Sequence, residues 1–350
     1  MTKIDIISGF LGAGKTTFIK KMLEEVFSGE KVVLVENEYG EVGIDGGFLK
    51  DSGIEIKELN SGCICCSLVG DFNRSLNEVI ETYHPDRILI EPSGVGKLSD
   101  VMSSVKDMEK DHDVKLNALV TVANAMKATK QMKAFGEFFN NQIENATTVV
   151  LSRTQNMKEE KLELCVKEIQ KLNPKAAIIT TPWDSISGEQ ILKVIEQQDS
   201  LMQEMMKEYE EHHHDHEHEH HHDHDHEHEH HHDHDHDHGE GCTCGCHDHD
   251  HHHHDHDADE VFISWGKETP HKYTKEKIES ILKTFCDTDD YGTILRAKGM
   301  VPAEDGTWIY FDMVPGEYEL RDGEPDYTGR LCVIGTDIDE HKLEELFELN

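Results

Sequence analysis

Positive charge is scarce in this sequence. Its 350 residues hold 34 Lys and Arg against 72 Asp and Glu, a formal net charge of −38. A chain without a basic face cannot replace the counterions of a phosphate backbone, so nucleic acid is excluded as a partner. Long apolar runs are missing too. Nothing approaches the roughly 18 consecutive apolar residues of a membrane span, which argues against a membrane partner. The first seven residues form a charged, strand-like run, not a basic region leading into an apolar core. A cytoplasmic setting is therefore expected. There, nine cysteines, an odd number, are expected as metal ligands or buried thiols rather than disulfides.

One stretch lacks even more. Between residues 210 and 257 there is no aliphatic side chain and no Phe, Tyr or Trp. Without apolar area to bury, such a segment cannot offset its ordering entropy, and disorder is expected in the absence of metal. What it has instead is histidine: 24 of the 28 lie here, all but His84, His112, His271 and His341. Asp and Glu interleave with them, and Cys242, Cys244 and Cys246 sit inside. Imidazoles on a flexible chain suit capture of several Zn, Ni, Co or Cu ions, whereas the acids alone read as solvated spacer. The internal position and acidic interleaving exclude an expression tag.

This tract divides the chain into a region of residues 1–205, a linker of 206–257 and a region of 258–350. The first alternates β-rich runs near residues 4–7, 32–35, 54–59, 88–90, 119–122, 149–151 and 178–179 with helical patterns at 18–27, 76–83, 162–172 and 191–209. That alternation predicts an α/β fold with a mostly parallel sheet. The last region, with strand-like runs near 261–265, 293–296, 308–313 and 331–334 and helices at 275–285 and 339–348, predicts a small α+β domain.

Between the first strand and first helix runs Gly9-Phe10-Leu11-Gly12-Ala13-Gly14-Lys15-Thr16, the phosphate-loop pattern G-x-x-x-x-G-K-[ST]. Backbone N–H groups of such a loop curl around phosphates, Lys15 reaches the β/γ oxygens, and the Thr16 hydroxyl holds Mg²⁺. Glu91 ends an apolar strand and is followed by Pro92-Ser93-Gly94. It is the candidate second anchor for Mg²⁺, with the Gly94 N–H available to a γ-phosphate. Loops of this class usually recognise guanine with Asn-Lys-x-Asp after a later strand; here that position reads Ser152-Arg153-Thr154-Gln155. Arg153 can lie over a base. Gln155 both accepts and donates, so its preference for guanine over adenine is weaker than that of Asp.

Cys63-Ile64-Cys65-Cys66 follows Asn60-Ser61-Gly62. Three thiols within four residues converge on one soft or borderline metal and leave one tetrahedral position open to a carboxylate, a His or water.

Together, Gly9 to Thr17, Asn37-Glu38-Tyr39-Gly40-Glu41-Val42-Gly43-Ile44-Asp45, Cys63 to Cys66 and Glu91 to Gly94 occur in the order seen in CobW-like GTPase metallochaperones. Thr293-Ile294-Leu295-Arg296-Ala297-Lys298-Gly299 resembles the signature of that family's C-terminal domain. The resemblance implies a GTPase of the SIMIBI class that binds a divalent transition metal (Zn²⁺ first, Co²⁺ or Ni²⁺ otherwise) through Cys63, Cys65 and Cys66. Glu41 is then a candidate fourth ligand. It also implies that Gly12, Ala13, Gly14, Lys15, Thr16 and Thr17 hold phosphate and Mg²⁺. Residues 36–45 resemble a first switch and 91–96 a second. Pro92 and the run 152–155 depart from the family pattern.

Three functions follow as expectations. The first is a GTP-hydrolysing chaperone that delivers metal to a client metalloprotein. The second is a cytosolic metal buffer with vestigial hydrolysis. The third, a nucleotide switch with no metal role, leaves both the cysteine loop and the tract unexplained.

Overall fold

The computed structural model describes residues 1–36, 55–58, 69–196 and 263–349. Seven strands form the first sheet: β1 (Thr2–Ser8), β2 (Val32–Glu36), β3 (Glu55–Glu58), β4 (Arg87–Glu91), β5 (Val114–Asn124), β6 (Thr148–Ser152) and β7 (Ala177–Ile179). Their order is β3-β2-β4-β1-β5-β6-β7, and every neighbouring pair is parallel. The expected α/β class is thus what the chain adopts.

Helices cover both faces, which is why the strands read as continuous apolar runs rather than alternating ones. Val33, Ile88, Ile4 and Val149 point to one side, beneath α2 (Val69–Tyr83), α3 (Leu98–Met108), α5 (Gly136–Glu144) and α6 (Glu159–Leu172). The short α4 (Ala128–Ala134) leads into α5. Leu34, Leu89, Val120 and Val150 point to the other side, beneath α1 (Lys15–Glu25) and α7 (Gly188–Ile195). A capping box of Ser187 and Gln190 starts α7.

A separate five-stranded sheet, all antiparallel, follows: β8 (Ile263–Thr269), β9 (Thr293–Pro302), β10 (Trp308–Val314), β11 (Glu317–Gly323) and β12 (Gly329–Thr336), in the order β11-β10-β9-β12-β8. Helices α8 (Lys275–Asp287) and α9 (Glu340–Leu346) bury Ile278, Leu282, Phe285 and Leu343 against its inner face.

The two regions meet beside β7. The N–H groups of Thr180 and Thr181 donate to the Tyr327 carbonyl at 2.9 and 3.1 Å, and the Thr180 and Thr328 hydroxyls pair at 2.9 Å. The Tyr327 ring packs into the α1/α7 core, and its hydroxyl donates to Glu268. Burial pushes the Glu268 carboxyl and the Tyr327 hydroxyl above their ordinary values. No helix among the described residues is long and apolar enough to cross a membrane.

Candidate nucleotide site

Five of the seven parallel strands end on a buried polar residue: Ser8, Glu36, Glu91, Asn124 and Ser152. Most side chains along β2, β4 and β6 are apolar up to these last residues, so the polar row at the carboxyl ends marks one functional edge. Open α/β sheets place ligands there. The Ser8 hydroxyl and the Asn124 Nδ2 are buried with no hydrogen-bond partner among the described residues, an arrangement that suits a ligand or solvent.

The phosphate loop leaves β1 and turns into α1. Gly14 precedes the helix in the left-handed region (φ 103°), and a Cβ there would also lie 3.4 Å from the Trp183 ring. Only glycine takes that conformation cheaply. No acid occupies the first turn of α1 and no side chain caps it, so its N–H groups and the positive dipole end stay available to an anion. Ala13 is buried, Thr16 is half-buried and Thr17 exposed.

Lys15, from the start of this helix, brings Nζ to 3.7 Å from Glu91 Oε1, with side-chain exposures of only 10% and 3%. Lys15, expected at the β/γ oxygens, and Glu91, expected at Mg²⁺, thus stand together although distant in sequence. Glu36 is the in-register neighbour of Glu91 on β2, and it too is buried. Two buried carboxylates side by side require nearby positive charge, and Lys15 supplies part of it. Gly94 lies against the loop: a Cβ on it would come within 3.0 Å of the Leu11 nitrogen. Its turn is held from below by Gln142, whose Nε2 donates to the carbonyls of Gly96 (2.9 Å) and Gly94 (3.4 Å).

At the end of β6, Ser152 occupies the first position of the variant base motif. Its hydroxyl donates to the Ala13 carbonyl at 2.6 Å, tying β6 to the phosphate loop. Arg153 follows in the left-handed region (φ 62°) and is exposed, as is Gln155 in the short 3-10 turn 154–156. Trp183 completes the wall. Its Nε1–H donates to the Leu151 carbonyl at 3.1 Å, and its ring lies 5.5 Å from that of Phe18 on α1.

Cys63, Cys65, Cys66 and Glu41 lie outside the described residues, as do the histidine tract and residues 37–45 of the expected first switch. Gln142, Asn124, Ser8 and Trp183 were not singled out from sequence as site residues, and Glu36 was named only as the start of the run 36–45. No local motif marks the first four: Gln142 and Trp183 act through contacts tens of residues away, and Ser8 and Asn124 stand out only by their place at the strand ends.

A glycine loop between a strand and an acid-free helix start, at the carboxyl edge of a parallel sheet, defines a P-loop nucleotide-binding protein. The chain belongs to the CobW/HypB/UreG family: residues 3–180 match its nucleotide-binding domain, and residues 262–349 match the cobalamin synthesis protein CobW C-terminal domain. It is 34% identical over 154 residues to the zinc chaperone YeiR of Escherichia coli, covering 44% of this chain and 47% of that one. To the zinc chaperone YjiA of the same organism it is 29% identical over 194 residues, covering 52% and 58%. The chain thus spans about half the length of the curated relatives it matches. The crystal structure of Zn(II)-bound YjiA GTPase aligns over 99% of this chain and 98% of that one, at 19% identity and a TM-score of 0.43.

Proposed function

We propose that this protein is a GTP-hydrolysing metallochaperone, which binds a divalent transition metal under nucleotide control and passes it to a client metalloprotein. The observation that carries the nucleotide half is the Lys15–Glu91 pair at the bare N-terminus of α1. In this reading Gly9 and the run from Gly12 to Thr17 wrap the phosphates, and Lys15 moves from Glu91 to the β/γ oxygens. Thr16 and Glu91 offer the hard oxygen donors that suit Mg²⁺, whose charge would offset that of the phosphates. Gly94 turns its N–H toward the γ-phosphate, while Arg153 covers the base and Gln155 reads its edge. Ser152 keeps base and phosphate subsites in register through the Ala13 carbonyl.

The metal half rests on sequence and kinship. Relatives bear the name zinc chaperone, which supports zinc ahead of cobalt or nickel as cargo. Cys63, Cys65 and Cys66, with Glu41 as the candidate carboxylate, lie between two nucleotide-sensing runs, so a γ-phosphate contact can shape the metal site directly. The tract raises the local supply of metal. The test is linkage: nucleotide must change metal affinity, and metal must change GTP affinity by the same factor, about 5–150-fold in a useful coupling. Zinc titration of wild type and a Cys65→Ser/Cys66→Ser variant, each with GDP and with a non-hydrolysable GTP analogue plus Mg²⁺, reads that factor. A tight component seen only in wild type with the analogue supports the chaperone. Identical zinc isotherms in all four states leave a metal buffer in its place.

A further inference from the structure

Glu159 and Glu163 stand one turn apart on α6, so both carboxylates project from the same helix face. The group they face comes from the other region of the chain. His271, two residues past β8, brings Nδ1 to 2.7 Å from Glu163 Oε1 and 3.8 Å from Glu159 Oε1. One donor atom from each of the three residues lies within 4.8 Å of the other two, and all three side chains are half-buried. Glu159 and His271 are also held from outside the trio. The Lys272 N–H donates to Glu159 Oε1 at 2.7 Å, and the Tyr273 ring meets the imidazole edge-on at 4.7 Å. On the far side of the imidazole, Nε2 faces Glu348 Oε2 at 3.7 Å, and Lys277 anchors that carboxylate at 2.5 Å.

This arrangement has a chemical direction. Metal-binding histidines turn one nitrogen to the ion and the other to an outer carboxylate that fixes ring and tautomer. Here Nδ1 points to two carboxylates and Nε2 to a third. One imidazole with two carboxylates is a borderline donor set that suits Zn²⁺ better than the all-oxygen preferences of Ca²⁺ or Mg²⁺. A cavity of about 200 Å³, lined by Glu163, His271 and Glu348, opens beside the trio and offers a way in. We infer that Glu159, Glu163 and His271 form a zinc-type metal site that clamps the nucleotide-binding region to the C-terminal region. None of its three residues belongs to the cysteine loop or the tract, and the site needs no nucleotide and stands whether or not the chaperone reading does.

The tract's 24 histidines mask a single ion in any stoichiometry, so the full-length protein is read by difference between variants that all keep the tract. Zinc chloride added to the nucleotide-free wild type should raise its melting temperature by about 5 °C at a hundredfold excess over the dissociation constant. Glu159→Gln/Glu163→Gln, which keeps side-chain volume, should lose most of that shift while melting near wild type without zinc. His271→Ala should lose it as well. A readout free of any variant is diffraction at the zinc absorption edge from wild-type crystals grown with zinc, with an anomalous peak about 2.0–2.3 Å from His271 Nδ1 and the two carboxylates. Equal zinc shifts in wild type and the double Gln variant, no shift in either, or zinc density elsewhere and none at this trio overturns the site.

Discussion

The parallel sheet buries charge at both of its ends, and the two ends treat it differently. At the amino end, Arg87 is enclosed by its own partners: Asp5, Glu30 at 2.9 Å and Glu196 at 3.1 Å, with the Phe27 ring 4.4 Å beneath its guanidinium. Asn117 closes on Asp5 at 2.7 Å, and Lys3 on Glu196 at 2.8 Å. At the carboxyl end Lys15 reaches Glu91 at 3.7 Å, and the Ser8 hydroxyl and Asn124 Nδ2 have no hydrogen-bond partner among the described residues. A buried charge saturated by the chain itself serves the fold. One left loosely held beside orphaned polar groups is set aside for a ligand. The difference separates structure from function without any motif.

Breaking the saturated end should have the largest effect. Arg87→Met leaves Asp5 and Glu196 buried without their cation, and a loss of about 3–5 kcal/mol in denaturant unfolding is expected. Nucleotide affinity of the molecules that stay folded should hardly change; a weakened nucleotide site with intact stability would reverse the assignment of the two ends. Lys15→Ala should act on chemistry instead, reducing GTP turnover by about 10²–10³-fold or more. Turnover like that of wild type would place the hydrolytic site elsewhere.

Next in size is nucleotide choice. The wild type should prefer GTP to ATP, but modestly, because the Gln155 amide can face either base edge. Gln155→Asp should sharpen the preference tenfold or more, a charge-assisted hydrogen bond being worth about 1.5–3 kcal/mol. Competition between the two nucleotides measures it, and equal or better use of ATP by wild type would remove guanine from the reading. The smallest effect belongs to pH. Burial opposes ionisation of Glu196, but hydrogen bonds from Lys3, Arg87 and Asn117 outweigh it and hold the carboxyl below its ordinary value. A depressed folded value means stability present above the unfolded pKa and lost as pH falls through the folded one. Lys3→Met should therefore move the acid limb of the stability curve to higher pH. An unmoved limb would show that Lys3 adds nothing to this network.

Much of this was legible in the sequence where the signal is local. Continuous apolar runs near residues 32–35 and 88–90 gave β2 and β4 because buried parallel strands need no polar face. Elsewhere tertiary context decided. β5 begins at Val114, well before the apolar run at 119–122, because Val114, Lys115 and Leu116 pair along β1, while Asn117, skipped at a β-bulge, joins the Arg87 network. β11 was missed since it is an edge strand in which only Tyr318 and Leu320 turn apolar surface to the core. Helices α3 and α5 also escaped notice, although Val101, Val105, Phe139 and Ile143 give each an apolar face. In the site, Lys15 and Glu91 stand in strand-and-loop motifs and could be named. Gln142 could not, because nothing near position 142 announces that its amide will reach the carbonyls of residues 94 and 96.

The junction beside β7 also bears on the open edge of the parallel sheet. β7 is the last strand of its sheet, and an open strand margin is a template on which another chain can zip up. Residues 326–328 close off the end of that margin with backbone and hydroxyl hydrogen bonds to Thr180 and Thr181, directly past β7, and Tyr327 plugs the apolar hollow beneath. A fragment ending at residue 196 retains the phosphate loop yet uncovers both the margin and the hollow. Its characteristic failure is then to grow sheets with its own copies, and the C-terminal region acts as a built-in guard against that.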